Sequence, residues 1–175
     1  IISARRSYAD LIIKPFMDKD TKGGYYLYDI NTKLNHRFSD RDRLFFSFYH
    51  GKDHASFTNT SSYYFEEEKE TDTRERQVMA WGSTLGALRW NHIVSNRLFH
   101  NITLSYNRFR FNIKNNFTSA NKHLDSQYYS GIEDWGLTSD FDFHPSPSHF
   151  IRLFLFIRRV HKCMLGFGAE RMGEI

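Results

Sequence analysis

Nine histidines invite a metal reading: His36, His50, His54, His92, His100, His123, His144, His149 and His161. They are scattered along the whole chain. His50 and His54 share one parity, but on a strand rising about 3.3 Å per residue they would stand about 13 Å apart, too far to hold one ion. Asp134, Asp140 and Asp142 form a row of hard oxygen ligands. A polar lining of a water-filled interior explains the same row without a cation. The acidic run Glu66 to Glu70 reads as a solvated loop tip. P-loop, GxGxxG, HExxH and GxSxG patterns are absent. The single cysteine, Cys163, allows neither an internal disulfide nor a CxxC metal site. The expectation is a chain with no catalytic residues, no metal and no cofactor: not an enzyme, but a scaffold.

The elements that would carry such side chains are strands. In "GYYLYDINTKLNHRFS", Gly24 to Ser39, every second residue is mostly apolar or aromatic and the residues between are polar or charged. The same period recurs over about 2–13, 25–38, 43–57, 77–93, 98–113, 129–144 and 149–158. Composition agrees: aromatics make up 17% of the 175 residues and there are only 3 prolines, which suits pleated surfaces. Gly82, Gly86 and the aromatics set aside a short helix over Arg74 to Met79. No run of about 18 apolar residues exists for a spanning helix, and no signal-peptide pattern opens the chain. The net charge is +4. Lys and Arg form no long run, however, so nucleic acid is not an expected partner.

The links alternate in length. "SDRDR" (Ser39 to Arg43), "SNR" (Ser95 to Arg97) and "PSPS" (Pro145 to Ser148) are tight turns. Lys14 to Gly24, Thr58 to Arg76 and Lys114 to Gln127 are long and polar. Short turns at one end and long links at the other predict an all-β fold. It would be an antiparallel up-and-down meander of about six to eight long strands, part of a transmembrane β-barrel.

Energy assigns the faces. A cation on the lipid face costs about 2–4 kcal/mol at the bilayer midplane. The predicted water-facing row is therefore Asp29, Asn31, Lys33, Asn35, Arg37, Asn101, Thr103, Ser105, Asn107, Asp134, Thr138, Asp140 and Asp142. The predicted lipid-facing row is Tyr26, Tyr28, Ile30, Leu34, Phe38, Leu98, Ile102, Leu104, Tyr106, Trp135, Leu137, Phe141 and Phe143. After Tyr106 the parity reverses, with Arg108 and Arg110 on the apolar parity and Phe109 and Phe111 on the polar one. That predicts a bulge, or a strand leaving the membrane. A soluble lipocalin-like barrel or sandwich shows the same alternation with its apolar faces turned inward. The strand lengths and the aromatics gathered near segment ends favour the membrane.

Particular stretches resemble a known family. "ISARRSYADLIIKPF" (Ile2 to Phe16), "YYLYDINTKLNHRFSDRDRLFFSFYHGKD" (Tyr25 to Asp53), "WGSTLGALRWNHIVSNRLFHNITLSYNRFRF" (Trp81 to Phe111) and "DFDFHPSPSHFIR" (Asp140 to Arg152) resemble barrel hairpins of TonB-dependent outer-membrane receptors of the Bacteroidetes type. The resemblance implies a place in the bacterial outer membrane and a barrel of about 22 strands. It also implies a plug domain and TonB as partners, and energy-coupled import of an unknown small ligand such as a metal chelate, a vitamin or a glycan. It covers residues 1–152, which read as a partial barrel. Residues 153–175 lose the pattern and read as an atypical tail, through a frame disruption near Leu153 or simple divergence. A small outer-membrane barrel enzyme would need a Ser/His pair at a spacing the chain does not offer.

Overall fold

The computed structural model describes residues 1–17, 20–65, 68–119 and 122–172, with side chains described except at 63–65, 68–71 and 167–172. Seven strands form one antiparallel sheet in chain order. They are β1 (Ile2–Arg6), β2 (Thr21–Arg37), β3 (Asp42–Phe65), β4 (Glu68–Ser95), β5 (Leu98–Ser119), β6 (Lys122–Ser146) and β7 (His149–Met172). Each strand pairs with the next, so β1 and β7 are each paired on one side only.

The first segment is not the single strand expected over 2–13. β1 stops at Arg6, and Ala9–Ile13 forms a short helix, α1, followed by a 3-10 turn over Lys14–Phe16. Leu11 and Ile12 both donate their backbone N–H to the Tyr8 carbonyl. The consecutive apolar residues Leu11, Ile12 and Ile13 carry no alternation that would hold a strand. Pro15 has no N–H to give to a ladder and sits at the start of the 3-10 turn, where none is needed.

The remaining strands outrun their expected bounds on the side away from the short turns. β3 to β6 run for 24, 28, 22 and 25 residues. The long polar links are mostly hairpin extensions. "TNTSSY" stays paired to "TDTRER", and after one register shift Tyr64 pairs with Lys69. β-branched Thr and alternating side chains favour a pleated ladder even where neither face is apolar. The tip expected over Glu66 to Glu70 is narrower: Glu68–Glu70 already belong to β4, and Glu66 and Glu67 lie outside the described residues. β7 continues to Met172, paired with β6 throughout. The change of pattern after Arg152 is therefore not a change of secondary structure.

The short turns are well made. Ser39 Oγ accepts the N–H groups of Arg41 at 3.1 Å and Asp42 at 3.0 Å, and donates to Asp42 Oδ2 at 2.8 Å. The turns are also stepped. One row of pairs joins Asp42, His92, His100 and Phe141. From that row β3 has just left its turn, β4 has three residues still to run and β6 has five. With the turns set level, that stagger is a strand tilt of about 40°, at about 3.3 Å per residue and 4.8 Å between strands.

There is one layer and no core. Among the described residues no hydrophobic side chain is buried, and Asp29 and Asp134 are the buried polar residues. A soluble sandwich or lipocalin-like barrel would close its apolar faces against each other. Among the described residues the sheet is a single open layer without such closure.

Candidate functional site

Pairing fixes which residues share a face. Asn31, Tyr49, Leu85, Asn107 and Asp134 lie in one continuous row on what can be called the Asp29 face. Leu34, Phe46, Leu88, Leu104, Leu137 and Ile157 lie in another, on the opposite Tyr28 face. All residues of the expected water-facing row fall on the Asp29 face. All of the expected lipid-facing row fall on the Tyr28 face except Phe38. That residue lies beyond β2, in the turn, where its ring meets His36 edge-on at 4.6 Å. The turn takes it because Phe38 N–H already bonds the Asp42 carbonyl that closes the hairpin.

On the Asp29 face carboxylates are held by arginines from adjacent strands, Asp142 near its short turn and Asp29 and Asp134 midway along their strands. Arg5 Nε donates to Asp29 Oδ2 at 2.5 Å. Asp134 accepts from Asn107 Nδ2 at 2.9 Å and from Arg158 at 2.8 Å. Arg152 grips both oxygens of Asp142, at 2.6 and 3.2 Å. Such forks are geometrically specific. They leave those carboxylates in use, and among the described residues no group of three or more His, Cys, Asp or Glu converges as a metal site would.

Further along the strands the same face changes character. Tyr25, Trp81, Phe111 and Tyr128 form an aromatic row, with successive ring centroids 6.4, 6.5 and 6.3 Å apart. The Tyr25 hydroxyl donates to Asp53. Sequence reasoning missed this row. Its signal was the parity reversal after Tyr106, and the pairing shows that this is no bulge: β5 keeps register with β4 and β6 from Leu98 through Ser119, apart from the shift beside the turn at Ile93.

The Tyr28 face reverses in the opposite sense. Beside the turns it is apolar, with Tyr106 against Trp135 at 4.6 Å and Phe141 stacked on His100 at 3.9 Å. At the turn itself, beyond that apolar stretch, Asp42 accepts from Trp90 Nε1 at 3.1 Å and lies 2.7 Å from His92 Nδ1. The Ser39 hydroxyl first, then His92, hold its carboxyl below the usual carboxylate range. At the other end of the stretch the face turns basic. Lys52, Arg108 and Arg159 each stand ten residues after the first residue of their strand, and His54, Arg110 and His161 stand twelve after it.

Residues 19–151 match the family model described as an outer membrane beta barrel domain. The chain belongs to that family. No curated protein matches it. The place of an outer-membrane barrel domain is the bacterial outer membrane, and the antiparallel meander with stepped turns is the wall of such a barrel. In lipid the free edges of β1 and β7 must find strand partners, because each unpaired backbone group costs several kcal/mol there.

Proposed function

We propose that this barrel wall belongs to a TonB-dependent receptor. In this reading the Tyr28 face meets outer-membrane lipid beside the short turns. The Asp29 face lines the interior, and the far ends of the hairpins capture a small ligand for energy-coupled import. The face assignment is supported by the apolar row from Leu34 to Ile157, against Lys33, Arg37, Arg89 and Arg152 on the other side. At a tilt of about 40°, ten residues climb about 25 Å, the height of the apolar band of outer-membrane barrels.

The observation that carries the receptor reading is the aromatic row on the Asp29 face above that band. Tyr25, Trp81, Phe111 and Tyr128 offer a row of rings, Tyr25 and Trp81 stacked and the others tilted or edge-on, to an interior that nothing else in the sheet covers. A passive polar pore has no use for such a surface, whereas a ligand or an inner plug does. The resemblance of the hairpins adds the plug, TonB and the ligand classes: a metal chelate, a vitamin or a glycan. The reading assigns the chain no catalysis and no bound cofactor.

Two measurements test it. In single-tryptophan variants placed in vesicles with brominated acyl chains, Trp90 and Trp135 should be quenched and Trp81 spared, because the first two lie on the Tyr28 face and Trp81 on the other. The opposite pattern overturns the face assignment. In cells carrying the whole receptor, uptake of a ferric chelate, a corrinoid or an oligosaccharide should stop when the proton gradient is collapsed. Uptake indifferent to the gradient would leave a passive pore.

A further inference from the structure

The basic residues of the Tyr28 face are placed too regularly to be a generic solvated surface. Lys52 on β3, Arg108 on β5 and Arg159 on β7 occupy the same count from the start of their strands, so with level turns they lie at one height. That height is the upper edge of the apolar band, about 25 Å from the turns. A row of pairs then sets Lys52 and Arg110 on either side of Gly82, with Gly131 beyond Arg110. The two glycines leave two grooves. The first, of about 340 Å³, has Gly82 and Ala80 as its floor and Lys52, Arg108, Arg110 and Tyr129 in its walls. The second, of about 110 Å³, lies over Gly131 between Arg108, Arg110, His161 and the carboxylate of Glu133. Gly82 is a necessity of the fold, since a Cβ there would meet the Gly51 carbonyl oxygen at 2.6 Å.

One carboxylate, Glu133, stands across the strands from Arg108 in the second groove, and the ion pairs of the sheet lie elsewhere. Among the described residues no carboxylate lies in ion-pair range of Lys52, Arg108, Arg110 or Arg159. The arginines of the Asp29 face differ, with Arg5, Arg152 and Arg158 each holding an aspartate. Arg110 rests instead against the Tyr129 ring, its Cζ 6.0 Å from the centroid. Unpaired cations at the rim of a lipid-facing band meet the headgroup layer, and guanidinium forks bind phosphate oxygens in pairs.

We propose that Lys52, Arg108 and Arg110, around the Gly82 and Gly131 grooves, form a binding site for the phosphorylated headgroup of an outer-leaflet lipid. Arg159 continues the belt on β7. The proposal rests on the reading that the Tyr28 face meets lipid.

The test is binding of a bisphosphorylated glycolipid and of its dephosphorylated counterpart to the full chain in micelles, followed by native mass spectrometry. The phosphorylated lipid should bind the more tightly. The triple variant Lys52→Gln, Arg108→Gln, Arg110→Gln should lose about a hundredfold, since each cation near an anionic lipid surface contributes roughly a factor of five. Arg89→Gln, on the Asp29 face, should change nothing, and it also controls for folding. Equal binding of the two lipids, or an unaffected triple variant, overturns the proposal. Displacement of the lipid by equimolar inorganic phosphate would do the same, because the site would then be one for free phosphate. Brominated-chain quenching in the same micelles separates the two failures. If Trp135 is quenched and the lipids bind equally, the faces stand and the belt falls. If Trp81 alone is quenched, the face assignment itself has failed.

Discussion

Beside the short turns, the Tyr28 face presents Leu34, Phe46, Leu88 and Leu104, while the Asp29 face presents Lys33, Arg37, Arg89 and the Asp142–Arg152 pair. Some ten residues further along the same strands the Tyr28 face carries Lys52, Arg108 and Arg110, and the Asp29 face carries Trp81 and Phe111. The exchange happens without a break in pairing on β5. Backbone geometry is therefore indifferent to it, and the surroundings must supply the reason. Facing lipid, apolar side chains are favoured and every charge must be turned inward. Above the lipid the outward face is free to be charged, and the inward face can use rings for binding. On the proposed reading of the two faces, the polarity of one strand thus records where the membrane ends.

A charge introduced into each half breaks or sustains this comparison most directly. Leu104→Arg places a cation in the apolar row and should cost about 2–4 kcal/mol in denaturant unfolding from vesicles. Val78→Arg, on the same face of β4 but above the band, should stay within about 0.5 kcal/mol, as surface substitutions do. Equal costs at the two positions would mean that the membrane boundary does not run between them.

Glycines sharpen it next. Gly82 and Gly86 lie on the same face of β4, yet a Cβ at Gly82 meets backbone at 2.6 Å, while at Gly86 the nearest atom is Tyr106 Cβ at 4.0 Å. Gly82→Ala should cost about 1–3 kcal/mol through backbone displacement, and Gly86→Ala should be close to neutral. Thermal unfolding of the two variants compares them directly.

The ion pairs of the Asp29 face rank third. Asp134 is 6% exposed and holds both Asn107 and Arg158. Asp134→Ala strands those donors and should cost about 1–2 kcal/mol. A double-mutant cycle with Arg158→Ala should return a coupling of about 0.5–1 kcal/mol, modest because Arg158 is half exposed. No measurable coupling would mean that the pair is only polar lining.

How much of this was legible depended on contrast between faces. β2 could be read closely because Tyr28, Ile30 and Leu34 alternate with Asp29, Lys33 and Arg37. Thr58 to Tyr64 and Arg74 to Arg76 could not, because a hairpin that is polar on both faces keeps strand pairing with no hydrophobic period to betray it. β7 hid for the opposite reason: Leu153, Leu155 and Ile157 on one face and Phe154 and Phe156 on the other are all apolar. The grooves over Gly82 and Gly131 needed the register. Lys52, Arg108 and Arg110 are far apart in the chain, and only the pairs Lys52–Gly82 and Gly82–Arg110 bring them together.

The smallest expected effect lies at the end of the sheet where the comparison begins. Asp42 is the residue with which β3 leaves its turn, outside the apolar band, and it faces Ser39, Trp90 and His92. Its carboxyl is held below the ordinary value of about 3.9. A carboxylate lowered in the folded state adds stability that is present above the ordinary value and is lost as pH falls through the folded one. Asp42→Asn should therefore be slightly less stable than the parent near neutrality. The gap should close in acid below the depressed value, where the parent is protonated too. Unfolding midpoints of the two proteins across that range decide it. A gap that persists in acid would mean that the turn depends on the shape of the Asp42 side chain and not on its charge.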